Sequence, residues 1–270
     1  VAGAAWQLRR DAFYRPFAIL GRGLHAPDRA ALGAQLRLGI PSGLSILIEV
    51  TGFAFMAIFI ARLGTTAVAG HQIVANLAAL VFMLPLALAQ ASSALVAQRI
   101  GAGDVADARQ LGWHGLLLAG ALACVSASVV VLGRAPIVAL YTPDAAVAAV
   151  ATGLLVWLIA FHLGDALQAV AAAVLRAWRI AQVPMLIHAG SLWGVGLYGG
   201  YLLAFDPWGW REAWPALGGL QGATGFWVAA SAGLGLAALA LCAFLAWTMR
   251  RVAPPHSPPA APRRPAPPAS

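Results

Sequence analysis

The chain has 270 residues, of which 61% are hydrophobic and 10% are charged, and its formal net charge is +8. Soluble domains carry roughly 25% charged residues, so the composition excludes an ordinary soluble domain. A mean hydropathy of +0.81 and recurring apolar runs of about 20 residues predict a helical integral membrane protein.

Residues 1–37 hold six arginines and predict a basic linker with a short amphipathic helix. Six candidate spans follow, the first with Pro41 in its opening turn, where a missing N–H does little harm. Residues 250–270 are rich in proline and predict a disordered tail. The membrane part is therefore expected over residues 38–249, with spans at approximately 38–60, 68–97, 112–133, 147–174, 182–205 and 222–249.

The arginines predict the orientation of these spans. With six spans, 14 arginines fall on the side of the two chain ends and 3 on the other side. Because arginine-rich loops stay in the cytoplasm, both ends are predicted to be cytoplasmic. Arginines placed between spans, rather than on one basic face, give no reason to expect nucleic acid binding. The first residue is Val1, and the first methionine, Met56, lies inside an apolar run where translation would not begin. We therefore expect a piece of a longer protein.

Two acidic residues stand out because they lie inside predicted spans. Glu49 lies twelve residues after Arg37, and Asp165 lies eleven before Arg176. At about 1.5 Å of rise per residue, both reach roughly 17 Å from the cytoplasmic edge, near the middle of the bilayer. Two carboxylates at one depth on different helices can converge on one site, which predicts a binding site for a coupling ion.

A structural role is the alternative for both acids. Thr51 or Ser45 could hydrogen bond to Glu49, and His162 or Gln168 to Asp165. Such contacts between membrane helices contribute only about 0.6–2 kcal/mol, less than an ionisable group costs at the membrane midplane, which favours function. The site could take a proton, or the two carboxylates could act as metal ligands for Na⁺, since that hard cation prefers oxygen ligands.

Weaker candidates lie nearby. Gln72 and Asn76 are spaced i, i+4 on one helix face, and with Thr51 and His162 they form the candidate cavity-lining set. His71 is expected at the edge of a span, in a solvated or interfacial position. The sequence holds no ATP-binding loop, nucleophile elbow or metalloprotease motif, so no enzyme and no cofactor beyond the coupling Na⁺ or H⁺ is expected.

Several of these residues carry a family resemblance. Residues 39–109 are similar to the seventh and eighth helices of multidrug and toxic compound extrusion (MATE) transporters, through an acid followed by Val-Thr, then AGHQI, MLPL and GAG…A…AR. Residues 164–178, GDALQAVAAAVLRAW, resemble the tenth helix of that family with its acid. Residues 222–229, GATGFWVA, resemble the start of the last helix.

The resemblance implies an all-α integral membrane fold, in which six transmembrane helices form one lobe of a twelve-helix, two-lobe transporter. The chain would be the C-terminal lobe, with the N-terminal lobe of the same parent protein and the lipid bilayer as its partners. The implied function is secondary efflux of amphipathic or cationic drug-like compounds by antiport with Na⁺ or H⁺, in the bacterial inner membrane. By motif, Glu49 and Asp165 match the family's coupling-ion acids. The alternatives are a lipid-linked saccharide flippase of related fold, or a fragment inactive without its other lobe.

Overall fold

The computed structural model describes Trp6 and residues 28–251. Every regular element in this part of the chain is a helix. In chain order the helices are α1 (Arg29–Ala61), α2 (Thr65–Gly101), α3 (Val105–Leu132), α4 (Arg134–Tyr141), α5 (Ala145–Leu155), α6 (Leu158–Ala177), α7 (Gln182–His188), a π-helix (Ala189–Tyr198), α8 (Gly199–Phe205), α9 (Trp210–Ala213), a 3₁₀-helix (Pro215–Leu220) and α10 (Gly222–Arg251).

Five of the described helices are long and apolar enough to cross a membrane: α1, α2, α3, α6 and α10. The fourth predicted span, 147–174, is divided into α5 and α6 by a turn at residues 156–157. The fifth, 182–205, consists of α7, the π-helix and α8 in succession. A π-helix winds more widely than an α-helix, and such segments often lie at functional sites.

The first helix begins earlier than the sequence predicted. The Asp28 carboxylate accepts a hydrogen bond from the Ala30 amide (2.9 Å), which caps α1 at Arg29. Residues 29–37, assigned to the linker, therefore belong to α1, and Pro41 lies well inside the helix instead of in its first turn. The rest of the predicted linker (1–5 and 7–27) and residues 252–270 of the predicted tail lie outside the described residues.

Helix α6 lies at the centre of the lobe and packs against α2, α3 and α10. Most of its side chains are buried, and many of them are alanine, as at Ala166, Ala171 and Ala173. Small side chains let membrane helices approach closely, which is how such helices gain packing energy without a hydrophobic effect between them. Helix α1 is more peripheral and contacts α2, α7 and the π-helix. The Asp165 side chain therefore lies in the interior of the lobe.

Antiparallel helices place the loops at two ends of the lobe. The turn at 102–104 and the turn at 178–181 share one end, which we call the 102–104 end. The turn at 62–64 and the segment 206–221 share the other, which we call the 206–221 end. The 102–104 end carries a local ion pair, in which Arg99 Nε lies 2.7 Å from Asp107 Oδ2. Both partners are partly exposed, so this pair contributes little to stability.

Candidate functional site

Asp165 is a buried acid on the most enclosed helix of the lobe. Only 7% of its surface is exposed. Its Oδ1 accepts a hydrogen bond of 3.1 Å from Nε2 of Gln168, one turn further along α6. A buried carboxylate without a hydrogen-bond partner is unfavourable, and Gln168 supplies Asp165 with such a partner.

Glu49 comes from α1 and meets the same glutamine. Its half-buried side chain interacts with the side chain of Gln168, and its charge interacts with that of Asp165. The structure thus brings together the two acids that the sequence placed at one depth, and the amide of Gln168 connects them. The two acids are separated by 116 positions in the chain. They come close to each other because α1 packs against the rest of the lobe.

The π-helix fixes α1 beside this pair. Trp193 Nε1 donates a hydrogen bond of 2.9 Å to the carbonyl oxygen of Ile48, the residue before Glu49. The same indole lies 3.5 Å from the position that a Cβ on Gly52 would occupy, so α1 presents a glycine where the ring packs. Trp193, which is part of the π-helix, thus helps to hold the segment of α1 that carries Glu49 in place.

The structural alternatives considered for the two acids are only partly realised. Thr51 Oγ1 donates to carbonyl oxygens of its own helix, at Leu47 and Ile48, and not to Glu49. His162 Nε2 lies 3.1 Å from Ser126 Oγ on α3, so this imidazole links α6 to α3. Gln168 is the predicted partner that does contact Asp165, and it also serves Glu49.

The other two candidate cavity-lining residues lie away from the acids. Gln72 and Asn76 are exposed on α2. Asn76 Oδ1 accepts a hydrogen bond of 2.8 Å from the hydroxyl of Tyr141, at the end of α4. Both residues share an exposed face of α2, no hydrogen bond among the described residues joins them to the two acids, and their cavity-lining role stays a prediction.

The sequence prediction for His71 was wrong. Its side chain is completely buried, and Nδ1 accepts a hydrogen bond of 3.2 Å from Trp227 Nε1. Phe53 packs on both of these rings, and Phe161 packs on Trp227, with their ring centroids 5.1 Å apart. The helix packing of α2, α6, α1 and α10 encloses this histidine, which a count of residues from the span edge does not show.

This aromatic cluster gives a test of the packing. Trp227→Phe is expected to destabilise the lobe by about 1–2 kcal/mol, because it removes the donor to the buried Nδ1 of His71. The midpoint of thermal unfolding, followed by circular dichroism on the purified protein, measures the effect. Trp208→Phe is the matched control, since Trp208 is 71% exposed. Equal midpoints for the two variants would contradict the assigned hydrogen bond.

Arg176 is a functional candidate that the sequence reasoning missed. The predicted span ends before it and leaves it in a loop, but it lies half-buried in the last turn of α6. Its charge interacts with that of Glu49 and also with His188 on α7. The signal was present in the spacing: Asp165, Gln168 and Arg176 stand at i, i+3 and i+11, which places them on one helix face.

The donors of this site suit a proton or a monovalent hard cation. The two carboxylates supply oxygen ligands only, which Na⁺ accepts and softer transition metals do not favour. Within residues 28–251, no group of three or more His, Cys, Asp or Glu side chains could hold a metal ion.

Known proteins similar to this chain agree with the fold and the motifs. The family model described as MatE matches residues 41–202. "Probable multidrug resistance protein NorM" of Aromatoleum aromaticum is 43% identical over 93% of this chain and 52% of its own length. "Multidrug resistance protein PmpM" of Pseudomonas aeruginosa is 37% identical over 92% of this chain and 50% of its own.

Solved structures resemble the lobe as well. The eukaryotic MATE transporter AtDTX14 matches 92% of this chain and 53% of its own with a TM-score of 0.75, at 18% identity. The MATE transporter ClbM in complex with Rb⁺ gives a TM-score of 0.66 over 90% of this chain and 51% of its own, at 23% identity.

The match to these structures confirms the predicted fold class, an all-α membrane lobe. The chain spans about half the length of the curated relatives it matches. It is a multi-pass membrane protein, and it belongs to the MatE family of transporters.

Proposed function

We propose that this chain is the C-terminal, cation-binding lobe of a secondary multidrug efflux transporter. The transporter exports amphipathic or cationic organic compounds in exchange for Na⁺ or H⁺. The observation that carries the proposal is the meeting of Glu49 and Asp165 on a shared Gln168 inside the lobe. Ionisable groups at this depth in a membrane protein are expensive to bury and typically mark ion pathways.

Cation binding can drive transport through α1. When a cation neutralises the pair, Glu49 on α1 and Asp165 on α6 can remain close; when it leaves, their charges repel. Because α1 packs at the periphery of the lobe, we expect it to be a helix that shifts in response. Drug and cation then influence each other's binding reciprocally, as linkage requires.

The position of the lobe in the membrane belongs to the same proposal. We place both ends of the chain in the cytoplasm and the protein in the bacterial inner membrane, so the 102–104 end is cytoplasmic. The second lobe of the transporter, which would complete the central cavity, would come from an N-terminal six-helix segment of the same protein. The names of the bacterial relatives support multidrug efflux, and one structural neighbour, described as a MATE transporter in complex with Rb⁺, fits a monovalent coupling cation. Arginines of the described helices lie toward helix ends, which does not favour a flippase with an arginine-lined cavity.

Vesicle transport tests this proposal directly. The complete transporter that contains this chain is reconstituted in liposomes with ethidium, a fluorescent amphipathic cation, as the probe. An imposed gradient of Na⁺ at clamped pH, or of H⁺ without Na⁺, is expected to drive ethidium against its concentration gradient. Collapse of the gradient with an ionophore should stop the movement. Ethidium movement that neither gradient accelerates would contradict the proposal.

A further inference from the structure

The last two turns of α10 carry an arginine that is held over a pair of aromatic rings. The ring of Trp247 lies at 25° to that of Phe244, with the two centroids 5.6 Å apart. The guanidinium carbon of Arg251 lies 4.2 Å from the centroid of the Trp247 ring. Trp247 is 49% exposed, and Arg250 and Arg251 are exposed as well. We call Trp247, Arg250 and Arg251 the α10 terminal patch.

The patch lies where the lipid-facing side of α10 reaches the surface of the membrane. Four exposed side chains stand at i, i+4, i+8 and i+11 on one side of the helix: Leu239, Ala243, Trp247 and Arg250. At about 1.5 Å of rise per residue, Arg250 lies roughly 17 Å beyond Leu239, which is about half the thickness of a bilayer core. This side of α10 therefore changes from aliphatic to aromatic to cationic over the distance between lipid tails and lipid phosphates.

A second tryptophan marks the same level of the lobe. Gly112 of α3 packs on α10 here, since a Cβ at this glycine would lie 2.6 Å from Cε of Met249. Trp113, the next residue, is 40% exposed. Tryptophan favours the boundary between lipid tails and headgroups, so Trp113 and Trp247 place that boundary at the last turns of α10.

The positive charge of the patch is not neutralised by the chain around it. Within residues 28–251, the ion pair at this end joins Arg99 to Asp107, and no acid lies within 4 Å of Arg250 or Arg251. In the same part of the chain, the 102–104 end holds eight arginines and three acids, against three of each at the 206–221 end. The sequence of residues 252–270 contains no Asp or Glu. An anionic partner from outside these residues would complement this charge.

The contact with Trp247 leaves the hydrogen-bond donors of Arg251 available. The ring attracts the guanidinium through the π-electrons of its face, and an indole has no acceptor atom for the N–H groups. The guanidinium can therefore donate two parallel hydrogen bonds to a phosphate group. Because the ring already restricts this side chain, less conformational freedom is lost when the phosphate binds. The partial negative charge at the end of α10 also attracts arginines, but it does not explain the position of Arg251 over Trp247.

We propose that the α10 terminal patch binds the phosphate group of an anionic phospholipid, whose acyl chains lie along the lipid-facing side of α10. A lipid fits better than a soluble anion, because exposed aliphatic side chains lead directly to the arginines. An anionic headgroup fits better than a zwitterionic one, which brings a cation of its own that the arginines repel. The patch is separate from the two coupling acids, and the assignment does not depend on the proposed function.

Fluorescence quenching by brominated lipids tests the assignment at this tryptophan alone. The complete transporter that contains this chain is reconstituted in phosphatidylcholine vesicles with an increasing fraction of either brominated phosphatidylglycerol, which is anionic, or brominated phosphatidylcholine. The signal of Trp247 is the difference between each protein and the same protein with Trp247→Phe. In wild type, half-maximal quenching should require roughly 30-fold less of the anionic lipid, since each arginine near the membrane surface contributes about fivefold.

Three double variants separate a specific site from general charge. Arg250→Gln/Arg251→Gln should remove most of the preference for phosphatidylglycerol. Arg29→Gln/Arg37→Gln is the matched control, because it removes two exposed arginines of α1 at the same end of the lobe and should keep the preference. Arg250→Lys/Arg251→Lys keeps the charges and should retain most of it. All three pairs are exposed, so the thermal unfolding midpoints in lipid-free detergent should match that of wild type.

The source of the phosphate is tested in the same vesicles. Sodium phosphate, compared with sodium chloride at equal ionic strength, should leave the quenching by phosphatidylglycerol unchanged. Displacement of the lipid by inorganic phosphate would instead assign the patch to a soluble anion and overturn the proposal. Equal quenching of wild type by the two lipids, or an equal loss of preference in the α1 control, would overturn it too.

Discussion

Glu49→Gln and Asp165→Asn are each expected to reduce cation-driven efflux on the order of 100-fold, within the range of coupling between linked sites. Each replacement keeps the shape of the side chain and removes its charge. Without one carboxylate the site can no longer bind and release the coupling cation, so the ion gradient loses its connection to the drug. Initial rates of ethidium efflux from reconstituted vesicles measure the change.

The neutral amides also separate coupling from folding. Gln168 can still hydrogen bond to a glutamine at 49 or an asparagine at 165, so the thermal unfolding midpoint should change little. Glu212→Gln is the matched control, because Glu212 is an exposed acid in the 206–221 segment. Undiminished efflux in either acid variant, with Glu212→Gln at the wild-type rate, would show that the pair does not couple transport.

The acid pair was within reach of the sequence because its prediction depended on helix geometry alone. A fixed rise per residue and a known membrane thickness give a depth for each side chain, whatever its neighbours. Two acids inside apolar runs then give two depths to compare. The sequence could not show that α1 and α6 turn Glu49 and Asp165 toward one another, because that depends on how the helices rotate and pack.

The features that the sequence missed are consequences of packing. His71 looked interfacial by its position in the span, yet Trp227, 156 residues away, closes over it. The start of α1 at Arg29 depends on a local cap by Asp28, in a segment that its arginines had marked as a linker. Arg176 served only as a marker of the membrane edge. Its electrostatic interaction with Glu49 depends on the reach of a long side chain back along its helix face, because side chains on a helix lean toward the helix N-terminus.

The conversion of α7 into a π-helix had no clear signal either. The segment from 189 to 200 is rich in glycine, which in a membrane helix usually predicts close packing rather than a change of helix type. Two of its glycines do pack tightly: Gly196 lies against Gly233 of α10, and Gly200 against Phe226. The wider turns follow from how these contacts and the Trp193 hydrogen bond combine, which no single residue shows.

Gly164→Ala is the second variant with a large expected effect. A Cβ at position 164 would lie 2.9 Å from the backbone nitrogen of Gly235 and 2.9 Å from the carbonyl carbon of Leu234. These are backbone atoms, so no side chain can rotate away, and α6 and α10 must separate. Overpacking of this kind typically destabilises by about 1–3 kcal/mol, and we expect a fall of several degrees in the unfolding midpoint.

A second glycine-to-alanine variant serves as the control, and it separates the steric effect of the added methyl group from its effect on helix propensity. Gly153→Ala lies in the neighbouring helix α5, where an added Cβ meets nothing within 4 Å. It should be neutral or raise the free energy of unfolding by roughly 0.5–1 kcal/mol, since alanine favours helices over glycine. Gly164 directly precedes Asp165, so a shift of α6 at this point also displaces the acid relative to Glu49. Gly164→Ala should therefore weaken cation coupling as well as stability, whereas a midpoint equal to that of Gly153→Ala would show that the two helices can absorb the extra methyl group.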